Sequence, residues 1–170
     1  TIIESVKAQL AAEHQTFDPR IPIGAMIETP SAAVMIGRLA REVDFLSIGT
    51  NDLVQYLLTT DRTSSTLAPY YEPVHPAVLH VLASLASTAG EKNKDISICG
   101  EMAGNPAYTR LLLGLGFRSL SVAPGELLEV KHTIRSTSME EARALAERVL
   151  QCDTVEEIKS HLGLAHQRRA

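Results

Sequence analysis

The sequence predicts an α/β fold built on a parallel sheet, and three observations carry that prediction. Short apolar runs of strand length alternate with longer stretches of helical period, so that strand and helix succeed one another four times. Successive β-α units of this kind imply right-handed crossovers between parallel strands. Three of the apolar runs also end in chemically useful residues: Ile23–Ile27 before Glu28, Phe45–Ile48 before Gly49-Thr50-Asn51-Asp52, and Ile96–Cys99 before Gly100-Glu101. Periodicity alone leaves open both a doubly wound sheet and a barrel. Polar groups supplied by several different strand ends favour the barrel, where catalytic residues come from the carboxyl ends of separate strands.

Taken in order, residues 1 to about 13 place Ile2, Ile3, Val6, Leu10 and Ala11 on one helical stripe with charges between. That helix starts in mid-pattern without a capping residue, so the chain is expected to begin inside a longer protein. After a turn at Asp18-Pro19-Arg20, a first strand is expected over 21–27. A helix follows over 31–42, with Pro30 suited to its first turn. The second strand, 45–48, leads to a short helix over 53–58 and then to a polar loop, 60–71, rich in Ser and Thr and expected to be mobile. Pro76 opens a helix through Ala89 that Gly90 is expected to end, and the third strand occupies 96–99. Pro106 opens the next helix, Gly116 ends it, and 119–122 is the fourth strand. Helices then fill 127–134, 138–150 and 154–162, the last two announced by capping boxes, Ser138 with Glu141 and Thr154 with Glu157.

Composition sets the outer limits. At 170 residues, 45% hydrophobic and 21% charged, with no tryptophan, the chain reads as one soluble globular domain with an aliphatic core. No apolar run approaches the roughly 20 residues of a membrane span, and no leader pattern opens the chain, so a cytoplasmic protein without membrane insertion is expected. A net charge of −4 argues against a nucleic-acid partner. The basic tail, His166-Gln167-Arg168-Arg169, reads as a frayed chain end. Cys99 and Cys152 are too few and too far apart for a disulfide framework or a metal knuckle.

Residue chemistry picks out one constellation. Glu28 and Asp52, at two strand ends, suit a hard cation that takes oxygen ligands, although each also fits as a negative charge near a helix N-terminus. Asn51 offers an amide donor or, equally, a turn residue. Arg62 carries the planar fork that meets phosphate oxygens two at a time, with Asp61 beside it to orient it. Cys99 ends its strand on the same side, where a buried structural thiol is the ordinary alternative. Gly49, Gly100 and Gly104 serve either as turn residues or as openings for a small charged ligand. None of the six histidines lies in a recognisable phosphohistidine motif.

The order Ile23-Gly24-Ala25-Met26-Ile27-Glu28-Thr29-Pro30-Ser31, then Asp44 to Arg62, then Ile98-Cys99-Gly100-Glu101-Met102-Ala103-Gly104 resembles the phosphoenolpyruvate-binding barrel of the enzyme I family of bacterial phosphotransferases, or its nitrogen-related branch. The resemblance implies the C-terminal half, about strands five to eight, of a (β/α)8 TIM barrel with extra C-terminal helices, so that residues 1–170 form a partial domain. It implies Mg²⁺ held by Glu28 and Asp52. It also implies that phosphoenolpyruvate is bound by Asn51, Asp52 and Arg62 and that Cys99 is the acid that protonates the enolate. Implied partners are phosphoenolpyruvate, a histidine-containing phosphocarrier protein and a second copy of the chain in a homodimer. The fragment alone is expected to be inactive, because the acceptor histidine belongs to a separate domain. Two alternatives stay open: the barrel of a pyruvate phosphate dikinase or phosphoenolpyruvate synthase, and a non-catalytic module that binds phosphoenolpyruvate or dimerises.

Overall fold

The four apolar runs pair in the order in which the chain makes them. The computed structural model describes residues 2–164, so the basic tail lies outside the described residues. Its strands are β1 (Gly24–Ile27), β2 (Phe45–Gly49), β3 (Asp95–Cys99) and β4 (Ser119–Leu120), joined in one sheet in the order β1-β2-β3-β4. Every pairing is parallel, with Ile27 opposite Ile48, Ile48 opposite Ile98, and Ile98 opposite Leu120. Strands that follow one another without a reversal send each right-handed crossover to the same face of the sheet. A doubly wound sheet reverses its order midway and covers both faces. The observed order is an arc of the barrel type.

The helices are α1 (Ile2–Ala12), α2 (Pro30–Val34), α3 (Ile36–Glu42), α4 (Thr50–Leu57), α5 (Pro76–Glu91), α6 (Glu101–Gly104), α7 (Pro106–Leu115), α8 (Leu127–Arg135), α9 (Met139–Val149) and α10 (Val155–His161). Both expected capping boxes are present, at Ser138 with Glu141 and at Thr154 with Glu157. Gly116 ends α7 in the left-handed region at φ 114. Several boundaries differ from the sequence reading. Gly90 stays inside α5, and the left-handed residue that follows its end is Asn93, φ 50, a residue type that tolerates that region. The helix expected over 31–42 divides at Met35, whose backbone (φ −92, ψ 5) leaves the helical region. Strands β1 and β4 are shorter than expected, although the Ser121 N–H still reaches the Ile98 carbonyl at 2.8 Å.

Alternation along the strands separates the two faces. Ile27, Leu46, Ile48 and Ile98 are fully buried and meet Leu53 and Val54 of α4, Val78, Leu79 and Leu82 of α5, and Leu111 and Leu112 of α7 in one cluster. Each such side chain contributes about 1.5–3 kcal/mol by leaving water. Helices α7 and α9 close on each other where Gly114 has no side chain; a Cβ there would fall 2.0 Å from the Ala142 carbonyl oxygen. The other face of the sheet carries Met26, Ser47, Ser97 and Cys99, and the Ser47 and Ser97 hydroxyls lie 3.0 Å apart. Met26 is half exposed on this face. Among the described residues no helix is long and apolar enough to cross a membrane.

Candidate active site

The carboxyl ends of β1, β2 and β3 form a continuous rim, because each strand ends in register with its neighbour. Glu28 follows β1 directly, and its side chain lies over Gly49 at the end of β2: a Cβ on Gly49 would come within 2.9 Å of Glu28 Oε2 and 3.0 Å of Met26 Sδ. Glycine at 49 is therefore the space the carboxylate occupies. Glu28 does not cap the following helix, since Thr29 does that by accepting from the Ala32 N–H. Asp52 sits in the first turn of α4, where the helix dipole favours its charge. Asn51 and Asp52 thus stand on a helix that begins at the strand end, three residues earlier than the sequence suggests. Neither the Glu28 nor the Asp52 carboxylate has a hydrogen-bond or ion-pair partner among the described residues.

The ends of β2 and β3 are clasped together. The buried Thr50 hydroxyl donates to the Cys99 carbonyl at 2.6 Å, and the Asn51 side-chain oxygen accepts from the Glu101 N–H at 3.0 Å. With its oxygen so engaged, the Asn51 amide keeps its NH₂ group as a donor. Gly100 lies between, at φ 92, and a Cβ there would strike Thr50 Oγ1 at 2.5 Å and Asn51 Oδ1 at 2.7 Å. Both the backbone angle and the packing require glycine. Cys99 is half-buried on the open face of the sheet, its thiol donating to the Ile48 carbonyl at 3.3 Å with Met26 Sδ at 3.9 Å. Cys152 donates to the Arg148 carbonyl near the end of α9, far along the chain from this rim.

Arg62 reaches the same rim from the segment after α4, but not by the expected contact. Asp61 turns away from it and accepts from the Thr63 hydroxyl at 2.7 Å and the Thr63 N–H at 2.8 Å. Those bonds, the hydroxyl's foremost, hold the Asp61 carboxyl below the usual carboxylate range. Arg62 Nη1 instead donates to Glu101 Oε1 at 2.9 Å, joining the loop after β2 to the end of β3. Tyr71 stands within electrostatic reach of Glu101, Arg62 and Asp52. Burial pushes its phenol up to about 12, the Glu101 charge adds to the rise and Arg62 opposes it. Sequence reasoning assigned no role to Thr50, Tyr71 or Glu101. Only Glu101 had a signal, its place immediately after a strand end.

Two carboxylates with open coordination fit a Mg²⁺ ion, which keeps waters and substrate oxygens beside one or two carboxylates. Among the described residues no group of three His, Cys, Asp or Glu side chains gathers, so a complete protein cage is not what these residues build. Two clefts lie away from the rim, one of about 470 Å³ lined by α7, α9 and α10 and one of about 800 Å³ at the amino ends of β2 and β3. His75 caps α5 through Nδ1, which accepts from the Ala77 N–H.

Residues 1–139 match the family described as PEP-utilising enzyme, PEP-binding domain. The chain is 43% identical over 156 residues to the phosphoenolpyruvate-protein phosphotransferase of Cupriavidus necator, covering 92% of this chain and 27% of that protein. It is 42% identical over 157 residues to the protein of the same name from Haemophilus influenzae, again 92% of this chain and 27% of that one. A multiphosphoryl transfer protein of Xanthomonas campestris is 40% identical over 158 residues. The chain spans about a quarter of the length of the phosphotransferases it matches.

Proposed function

The chain belongs to the family of PEP-utilising enzymes through their PEP-binding domain, and from that premise we propose that its rim is part of the site where phosphoenolpyruvate gives up its phosphoryl group. One observation supports the reading: two carboxylates without protein partners among the described residues, Glu28 directly after β1 and Asp52 in the first turn of the helix that follows β2, on the rim that also holds Cys99 and Arg62. In this reading residues 1–170 are a partial barrel domain whose strands are the fifth to eighth of eight. The whole protein is a cytoplasmic homodimer that passes the group to one of its own histidines and on to a histidine-containing phosphocarrier protein. The present segment alone is inactive. Relatives named as phosphotransferases support this choice over a dikinase.

Each residue has a distinct task. Glu28 and Asp52 would hold Mg²⁺, which would supply Lewis-acid stabilisation of the charge that develops on the substrate oxygens. The Asn51 amide donates to the substrate, and the Arg62 guanidinium offers parallel N–H groups to the phosphoryl oxygens, where charge is spread during transfer. The bond from phosphorus to the enol oxygen breaks, the phosphoryl group leaves for histidine nitrogen, and the electron pair stays on the enolate of pyruvate. Cys99 then gives its proton to the methylene carbon, forming pyruvate, and its thiolate recovers a proton from water. The hydrogen bond to the Ile48 carbonyl holds that sulfur at the strand end, and the S–H turns from the carbonyl to reach the methylene carbon. A radiolabelled phosphoenolpyruvate assay on the full-length protein tests the reading. Label should reach the phosphocarrier in the wild type and fail to do so in Glu28→Ala and Asp52→Ala; label transfer that survives both substitutions would reject it.

A further inference from the structure

The Arg62 backbone N–H donates to Gln55 Oε1 at 3.4 Å, but its side chain is placed by something other than its own loop. Thr59, a β-branched residue, sits in the left-handed region at φ 53, and the buried Thr60 hydroxyl has no hydrogen-bond partner among the described residues. Asp61 is committed to Thr63. A segment with these features does not rest at a local minimum of its own, and such strain persists only where surrounding structure holds it. The Arg62 side chain is tied at its tip, by the bond from Nη1 to Glu101 Oε1.

Glu101 is itself fixed from two sides. Its N–H is bound to Asn51 Oδ1, and the residue before it, Gly100, is locked at positive φ against Thr50 and Asn51. Its side chain is 72% exposed, so the ion pair adds little to stability and its value is geometric. The bond uses one of the five guanidinium donors, and among the described residues no second side-chain hydrogen bond engages the others. We infer that Glu101 is the positioning residue for Arg62: it holds one edge of the guanidinium over the rim while the remaining donors face the incoming phosphoryl group. Glu101 follows the β3 end that presents Cys99, and through Asn51 it also keeps Arg62 in step with the helix after β2 that carries Asp52. A side chain ordered before the substrate arrives loses less freedom on binding.

This inference rests on Arg62 as the residue that grips the phosphoryl group, and the test separates the two. KM and kcat for phosphoenolpyruvate are measured on the full-length protein as wild type, Glu101→Ala, Glu101→Gln, Arg62→Ala and the Arg62→Ala/Glu101→Ala double variant. Glu101→Ala should raise KM about two- to fivefold, the range of an exposed ion pair, with a smaller change in kcat and an unchanged melting temperature. Glu101→Gln keeps an acceptor oxygen at the same reach and should restore part of the loss. In the Arg62→Ala background the Glu101 substitution should add nothing, because its effect runs through that guanidinium. An unchanged KM in Glu101→Ala, or a full effect that persists without Arg62, overturns the inference alone. An Arg62→Ala enzyme with wild-type kcat/KM overturns the site reading beneath it.

Discussion

The two ends of the sheet carry the same kinds of charged residue and use them in opposite ways. At the amino ends, Asp44 accepts from the Ile23 N–H at 2.7 Å, Lys94 donates to the Val43 carbonyl at 2.6 Å, and Arg118 donates to the Leu113 and Phe117 carbonyls, both at 2.8 Å. Each charge there is bound to a backbone group at a turn or a helix end. At the carboxyl ends Glu28 and Asp52 are left without protein partners, and Arg62 is bound at one donor. One end spends its charges on the fold. The other leaves them open, and under the proposed function they serve a ligand, the division that barrel enzymes show between their two faces.

Paired substitutions at the two ends can break this contrast, and the largest effect belongs to the arginines. Arg62→Ala should lower kcat/KM for phosphoenolpyruvate in the full-length protein by about 10³-fold, as loss of a phosphoryl-stabilising arginine does. Arg118→Ala should leave turnover per folded molecule alone and cost about 1–2 kcal/mol in chemical denaturation. Next comes Cys99→Ala, which should slow pyruvate release by about 10²-fold with little change in substrate affinity, measured by single-turnover kinetics beside a binding titration. Equal losses in affinity and rate would return Cys99 to packing.

Gly100→Ala falls between the two classes, since that residue joins the β2 and β3 ends. Its positive φ and the contacts awaiting a Cβ predict a loss of about 1–3 kcal/mol in thermal unfolding. The smallest effect is one of pH. Hydrogen bonds from the Thr154 and Asp153 backbone hold the Glu157 carboxyl below 4.5. A lowered folded value means that its contribution is complete above the unfolded pKa and fades as pH falls through the folded one. The first turn of α10 should therefore lose amide protection below about pH 4.5, while α9 and α10 stay packed. Protection that weakens as pH rises would have the wrong sign.

Much of the sheet was legible because its signals are local. Alternation in Phe45–Gly49 and Asp95–Cys99, prolines at 76 and 106 and two capping boxes act within a few residues of themselves. The barrel-type order was favoured by polar residues at several strand ends and settled through the resemblance, since periodicity does not distinguish an arc from a doubly wound sheet. Helix ends failed where competition between neighbours decides: Gly90 was outbid by Asn93 as the left-handed stop. At the rim, Glu28, Asp52, Arg62 and Cys99 stood out by residue type at strand and loop ends. Asp61 was misread because adjacency suggested a partnership with Arg62, whereas a carboxylate two residues before Thr63 closes a turn with it more readily. The Arg62 to Glu101 bond spans 39 positions and has no local trace at all.

The most direct test sets two aspartates of the same sheet against each other. Asp44→Ala and Asp52→Ala are compared in the full-length protein for melting temperature and for phosphoenolpyruvate-dependent phosphorylation of the phosphocarrier. Asp44→Ala should lose stability and keep its turnover per folded molecule, while Asp52→Ala should keep its melting temperature within a degree or so, about what a surface change of ±0.5 kcal/mol allows, and lose turnover. Turnover retained in Asp52→Ala, or lost in a fully folded Asp44→Ala, would contradict the assignment of the carboxyl-end rim as the catalytic face.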